Sequence, residues 1–249
     1  YILDFQDCKE IPKCSDKTGY NKCSKTKPLF CLNGTLVNRA SQCGCSGTDI
    51  ASGNLCLSEY ATNPKTNTFY YFGGSFDYTL YGGLNNYLAG IDRSISYYST
   101  TPTDKDFIMK TLDNDEQRKM LNPLVDKIRE ITDNSDEQAK IAIQIVQDIP
   151  YDYDSFNSEE VTGRYPYEVL YDNTGVCSEK AQLLAYLLRE INYGVAILRF
   201  DVENHDAVGI KCPQEYNYKN TGYCFVESTA PTAIGDSYES YVGVGQLTS

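Results

Sequence analysis

The 249-residue chain has no tryptophan, one histidine and two methionines, and its 22 Lys and Arg are outnumbered by 34 Asp and Glu. The shortage of positive charge leaves a net −12 with no Lys/Arg-rich run, which argues against nucleic acid or an anionic membrane surface as a partner. No apolar run approaches the roughly 18 residues a membrane helix needs, so no membrane span is expected and any anchor would lie outside this sequence. No Cys-x-x-Cys pair and no EF-hand loop is present, and His205 lies far from the cysteine-dense stretch. Neither a metal nor a cofactor is therefore expected. The chain opens at Tyr1 with neither Met nor an apolar leader. It reads as a chain whose export signal has been removed, or as a cut from a longer one.

What is plentiful is tyrosine (22) and cysteine (10). The tyrosines speak only for amphipathic packing and loop anchoring. The cysteines are more informative because they are unevenly spread: Cys8, Cys14, Cys23, Cys31, Cys43, Cys45 and Cys56, then Cys177, Cys212 and Cys224. Dense cysteine in a polar stretch poor in aliphatics reads as a loop-rich module held by disulfides, in an oxidising, extracellular or cell-surface setting. Seven is odd, so one of the first set pairs elsewhere, stays free or links to another chain. Asn33-Gly34-Thr35 fits a glycan acceptor at Asn33, in keeping with export.

Residues 61–67 read as a linker, followed by aromatic strands Phe69 to Phe72 and Phe76 to Tyr81 around Gly73-Gly74. A helix is expected from about Asn114 to Ile131, opened by Asp113-x-x-Glu116 and carrying an apolar stripe from Met120 to Ile131. Ser135-x-x-Gln138 opens a second, ended by Pro150. Residues 151–172 read as a long aromatic loop, which in a compact domain is usually functional or disordered. Asp172-Asn173-Thr174-Gly175 then delivers Cys177 to the start of an apolar helix that stops at Asn192-Tyr193-Gly194, where Gly194 suits a left-handed cap. Strands follow at Val195 to Phe200, His205 to Lys211 and Tyr223 to Thr229; the tail from Ala230 carries no pattern.

A cysteine at a helix start meets unpaired N–H groups and the positive end of the helix dipole, which favour a thiolate and can hold an oxyanion. Without a partner base it is by default a buried structural residue, and a lone histidine is by default a surface or satisfied core residue. Strand alternation changes the balance. It puts His205, Ala207, Gly209 and Lys211 on one face and Asp206 on the other, while Tyr223, Phe225, Glu227 and Thr229 share a face of the next strand. Glu227 is a carboxylate in an apolar run, where an unpaired charge is costly, and facing His205 across an antiparallel pair would relieve that cost. Cys212 and Cys224 lie at odd offsets from His205 and Glu227, on the opposite face. A Cys212–Cys224 disulfide and a free Cys177 are therefore expected.

Gly175-Val176-Cys177, the run Glu203-Asn204-His205-Asp206-Ala207-Val208-Gly209-Ile210 and Phe225-Val226-Glu227-Ser228-Thr229 together resemble the transglutaminase-like superfamily, above all its archaeal, secreted branch. The resemblance covers roughly residues 69–236. The stretch Pro28 to Val37 with Cys43-Gly44-Cys45 is similar to small cysteine-rich modules of secreted archaeal proteins. The resemblance implies an α+β fold with a papain-like core, a Cys-bearing helix packed on an antiparallel sheet. Cysteine density and composition set off a disulfide module at 1–60, and the resemblance makes 61–249 a transglutaminase-like domain. It also implies Cys177 as nucleophile, His205 as base and then acid, and Glu227 as the orienting carboxylate, where animal transglutaminases have Asp. Gln147 is a candidate second oxyanion donor; as a helix-end glutamine it would otherwise simply be solvated.

The expected function is a secreted thiol-dependent amide hydrolase or acyltransferase, a peptidase, amidase or cross-linker acting on a peptide or protein through a thioester. Resemblance to non-animal members favours hydrolysis. The rival is a surface-binding protein on an inactive scaffold of the same fold, and a structural protein bridged through the odd cysteine is a third reading.

Overall fold

The computed structural model describes residues 2–4, 7–9, 12–158, 163–237, 241 and 246–248; of these, 2–4, 7–9, 52 and 246–248 are described by their backbone alone. The chain divides into two compact units, Tyr1–Thr62 and Asn63–Ser249.

The first unit has little apolar surface to bury. Antiparallel pairs Leu29–Leu32 with Thr35–Asn38 and Ile50–Ser52 with Leu55–Leu57 flank a four-residue helix, Ala40–Cys43. Phe30 and Ala40 are buried beside the bridged cysteines. Bridges Cys14–Cys31, Cys23–Cys43 and Cys45–Cys56 close loops of 17, 20 and 11 residues. Each removes unfolded-chain freedom worth about 3 kcal/mol, which substitutes for a core. Cys8, the seventh cysteine, has its side chain outside those described. Asn33 and Gly34 both take positive φ (49° and 90°), as a two-residue hairpin turn requires, and Asn33 is exposed there.

The second unit is mixed α and β. It opens with a hairpin of Pro64–Tyr71 and Gly74–Tyr81, in register at Phe69 and Phe76. The linker expected at 61–67 is thus corrected, since strand pairing begins at Pro64. Its polar residues belong to the solvated part of the hairpin, where Thr66 meets Thr79 at 3.2 Å and Thr68 donates to Asp77 at 2.7 Å. Helices Gly82–Ala89 and Asp104–Leu112 follow, neither of which the sequence pattern announced.

Helices Asp115–Ile131 and Ser135–Gln147 form where their apolar stripes fall, but their caps differ from those expected. Asn114 and Asn134, rather than Asp113 and Ser135, accept N–H groups two and three residues on. Either asparagine relieves two orphan donors at once, the usual reward of an N-cap. The aromatic loop expected at 151–172 is also corrected: the chain there forms the short helix Tyr153–Phe156 and the helix Pro166–Asp172. Pro166 is the first residue of the latter, where its missing N–H would have been unpaired anyway.

Helix Cys177–Glu190 is buried on nearly all sides, as its crowded apolar residues Leu183, Leu184, Tyr186, Leu187 and Leu188 require. It packs against the sheet and against helices Ser135–Gln147 and Pro166–Asp172. Its end is a left-handed cap at Asn192 (φ 75°), not at Gly194. Tyr193 N–H bonds Leu188 O and Asn192 N–H bonds Arg189 O, the paired closure that ends a helix one residue past its cap.

The sheet has four antiparallel strands in the order Tyr223–Val226, His205–Lys211, Val195–Phe200, Gln246–Thr248. Cys212–Cys224 closes the hairpin of the first two, as strand parity predicted. The strand expected to run to Thr229 stops at Val226, because the next three residues turn to surround a carboxylate.

Candidate active site

The N-terminus of the Cys177 helix is fixed by contacts of its own. Val176 is the cap residue and has no side-chain acceptor; instead Glu179 reaches back to take the Val176 N–H at 3.1 Å. Glu179 is held in turn by Arg164, which also bonds Asp152 at 2.7 Å. The segment ahead of the helix is pinned as well. Gly175 N–H bonds Pro150 O at 3.3 Å and Asp152 N–H bonds Gly175 O at 3.1 Å, so Tyr151 lies alongside Gly175 in a parallel bridge.

Cys177 is the first helical residue, 8 % exposed and free. Its thiol donates to Asn204 O at 3.8 Å, and the His205 imidazole and the Asp206 backbone N–H lie close enough to the sulfur to favour its thiolate. Burial alone would raise the thiol pKa, but these two neighbours and the imidazolium charge outweigh it and the pKa is lowered. His205 Nε2 lies 3.0 Å from Glu227 Oε2, which leaves Nδ1 for the sulfur. Burial disfavours the imidazolium, yet Cys177 on one side and Glu227 on the other raise its pKa from 6.5 to about 9.

Glu227 is 1 % exposed and saturated with donors. Oε1 accepts the N–H groups of Ser228 and Thr229, both at 2.9 Å, and the Thr229 hydroxyl at 2.7 Å. Oε2 accepts from His205 and from the Tyr241 hydroxyl at 3.2 Å. Burial pushes its pKa up; the His205 bond and charge, with Thr229, bring it down to about 2. Strand alternation predicts a carboxylate that faces His205 directly, and the register differs from that by one diagonal step. With Val208 opposite Val226, Glu227 falls beside Ala207 and reaches His205 on the diagonal.

The three residues singled out in the sequence are thus brought together, and Asp206 points elsewhere, to Arg199 at 3.3 Å. Gln147 is not an oxyanion donor. Its Nε2 donates to Glu227 O at 2.9 Å and to Thr232 O at 3.2 Å, so it is buried and structural rather than solvated. Tyr151 is the side chain that neighbours Cys177 instead, close enough for its phenol and the thiol to influence each other's ionisation. Burial and the neighbouring sulfur raise the phenol pKa, so it remains a proton donor. Tyr241, in the tail that carried no pattern, stacks on His205 with 5.4 Å between ring centres and on Phe200 with 4.6 Å. Pro150-Tyr151 beside a turn was a signal that could have marked Tyr151; nothing local marks Tyr241.

A cleft of about 370 Å³ opens over this group, bordered by Phe156, Cys177, Arg199, Asn204 and His205. Among the described residues, no three His, Cys, Asp or Glu side chains are arranged to hold a metal. A low-pKa sulfur, an imidazole between sulfur and carboxylate, and two donors beside the sulfur can perform acyl transfer through a thioester.

No family model and no curated protein matches the chain. Among solved structures it aligns with a candidate cysteine protease from Cytophaga hutchinsonii at 13 % identity and a TM-score of 0.34, over 67 % of this chain and 62 % of that one. It also aligns with a candidate protease from Parabacteroides distasonis at 14 % identity and 0.34, over 69 % of this chain and 37 % of that one. The chain therefore spans less than two thirds of either, and likeness at this level carries no functional argument.

Proposed function

We propose that the chain is a thiol-dependent amide hydrolase or acyltransferase of transglutaminase-like type, with a papain-like core, that works on peptide or protein carboxamides. The observation that carries this reading is the His205 imidazole held between the Cys177 sulfur and the Glu227 carboxylate. The Cys177 thiolate attacks the carboxamide carbon, a C–S bond forms and the carbonyl electrons move to oxygen. The Cys177 N–H and the Tyr151 hydroxyl receive that oxyanion. His205 passes its proton to the nitrogen as the C–N bond breaks, and ammonia or an amine leaves. Water or an acceptor amine then gives a proton to His205, attacks the thioester and releases the thiolate. Three disulfides within Tyr1–Thr62 and one at Cys212–Cys224 support an extracellular or cell-surface location.

The test is a panel of acyl-glutamine and peptide substrates offered with and without amine acceptors. Acid-quenched protein is expected to carry an acyl group on the Cys177 peptide by mass spectrometry, with ammonia or amine in the supernatant. A panel that leaves Cys177 unmodified while its thiol stays ordinary in reactivity would reject the reading. Conversion of the amide to acid without acceptor marks a hydrolase, and incorporation of the amine marks a transferase. With a substrate in hand, Tyr151→Phe is expected to lower kcat by about 10²-fold with KM changed less than about threefold, since the lost donor acts on charge that develops only in the transition state. An unchanged kcat would remove Tyr151 from the oxyanion site.

A further inference from the structure

Lys180 has no part in the chemistry just described, yet it is 0 % exposed and its ammonium is not in a salt bridge with any described carboxylate. It sits one turn beyond Cys177 on the same helix, and its side chain runs back towards the helix start. Gly175 makes room for the stem: a Cβ there would lie 3.1 Å from Lys180 Cγ and 2.9 Å from Val169 Cγ1. At the end of the stem, Nζ donates to Ile149 O and reaches Gln147 O and Thr229 O, both at 3.4 Å. Three N–H donors thus meet three carbonyls from two separate stretches of chain.

Those stretches are the ones that matter to the site. Gln147 O and Ile149 O close the C-terminal end of helix Ser135–Gln147, where carbonyls lack intrahelical partners and a cation is favoured by the dipole. They lead directly into Pro150 and Tyr151. Thr229 O belongs to the turn whose N–H groups hold Glu227. Gln147 joins the same stretches from the other side, through Glu227 O and Thr232 O. Burial pulls the ammonium down to about 8 while Glu227 and Asp148 oppose that fall, so at neutral pH it keeps its third proton.

We infer that Lys180, with Gln147, is a positioning clamp that fixes the Tyr151 segment and the Glu227 turn against the nucleophile helix, and so keeps the imidazole aligned on the Cys177 sulfur. This rests on the thiolate reading above. A clamp of this kind acts through Glu227 and His205 on the ionisation of the thiol, which a residue needed only for folding would leave alone.

The experiment is the rate of iodoacetamide alkylation at Cys177 against pH, in the wild-type chain and in Lys180→Met and Gln147→Met, below the unfolding temperature of each. In Lys180→Met the half-maximal pH is expected to rise by about one unit towards the ordinary thiol value of about 8.5, with about tenfold slower alkylation at pH about 6.5. Gln147→Met, which removes two outer bonds and no charge, is expected to shift it by about half a unit. A folded Lys180→Met chain with the wild-type curve overturns the inference; where that variant does not fold, an unshifted Gln147→Met does so. A wild-type curve already centred at the ordinary thiol value sinks the thiolate reading itself, and the clamp with it.

Discussion

Cys177→Ala is expected to abolish turnover, with a loss of at least about 10⁴-fold in kcat, and to remove iodoacetamide labelling of the peptide that contains position 177. The size follows from what remains. The two donors beside the sulfur and the cleft would still bind a carboxamide, but nothing would attack it at neutral pH. Eight of the other cysteines are locked in four disulfides, so the label has few alternatives. Peptide mapping of the labelled wild type decides the matter: equal labelling before and after the substitution would show that the reactive thiol is elsewhere.

Glu227→Gln is expected to lower kcat by about 10³- to 10⁴-fold while the chain stays folded. The amide oxygen must take the position of Oε1, because Ser228 N–H, Thr229 N–H and the Thr229 hydroxyl all point there. The amide NH₂ then replaces Oε2 and donates to His205 Nε2, which forces the proton onto the ring nitrogen that faces Cys177. A neutral imidazole in that tautomer cannot accept the thiol proton, and the loss matches other sites in which the orienting carboxylate becomes an amide. Since His205 is the only histidine, its ring signals can be followed by NMR without assignment. Their titration should fall from about 9 to the ordinary 6.5 or below. A titration that stays near 9 would mean that Glu227 does not stabilise the imidazolium.

The same shifts set the pH range over which the site helps to hold the fold. His205 is raised, so its contribution is complete below about 6.5 and disappears as pH climbs through about 9. Glu227 is depressed, so its contribution is complete above about 4.5 and disappears as pH falls through about 2. Both are fully present between about pH 4.5 and 6.5.

Much of the second unit could be read locally because its signals are local. The stripes of Asp115–Ile131 and Ser135–Gln147, the apolar Cys177 helix and the alternation in Val195–Phe200 and His205–Lys211 are periodic, and periodicity survives without neighbours. Strand parity was enough to pair Cys212 with Cys224. The chain departs from its local pattern where two neighbouring residues could serve nearly equally well. Asn114 against Asp113, Asn134 against Ser135 and Asn192 against Gly194 are each chosen by where the backbone must turn, not by which residue could turn. The helix Pro166–Asp172 is too short to show a period and is stabilised by burial of Tyr167, Val169 and Leu170.

The sequence by itself determined which groups are available for chemistry: one histidine, a cysteine at a helix start and a carboxylate in an apolar run. Only the tertiary structure decided how they meet. Glu227 approaches His205 diagonally from a turn, Tyr151 and not Gln147 lies at the sulfur, Tyr241 covers the ring and Lys180 fastens the segments behind it. The physical reason is that each of these contacts joins residues more than 20 positions apart or follows from a strand that ends early. Such contacts leave no period in the chain and arise only when buried donors and acceptors must all find partners at once.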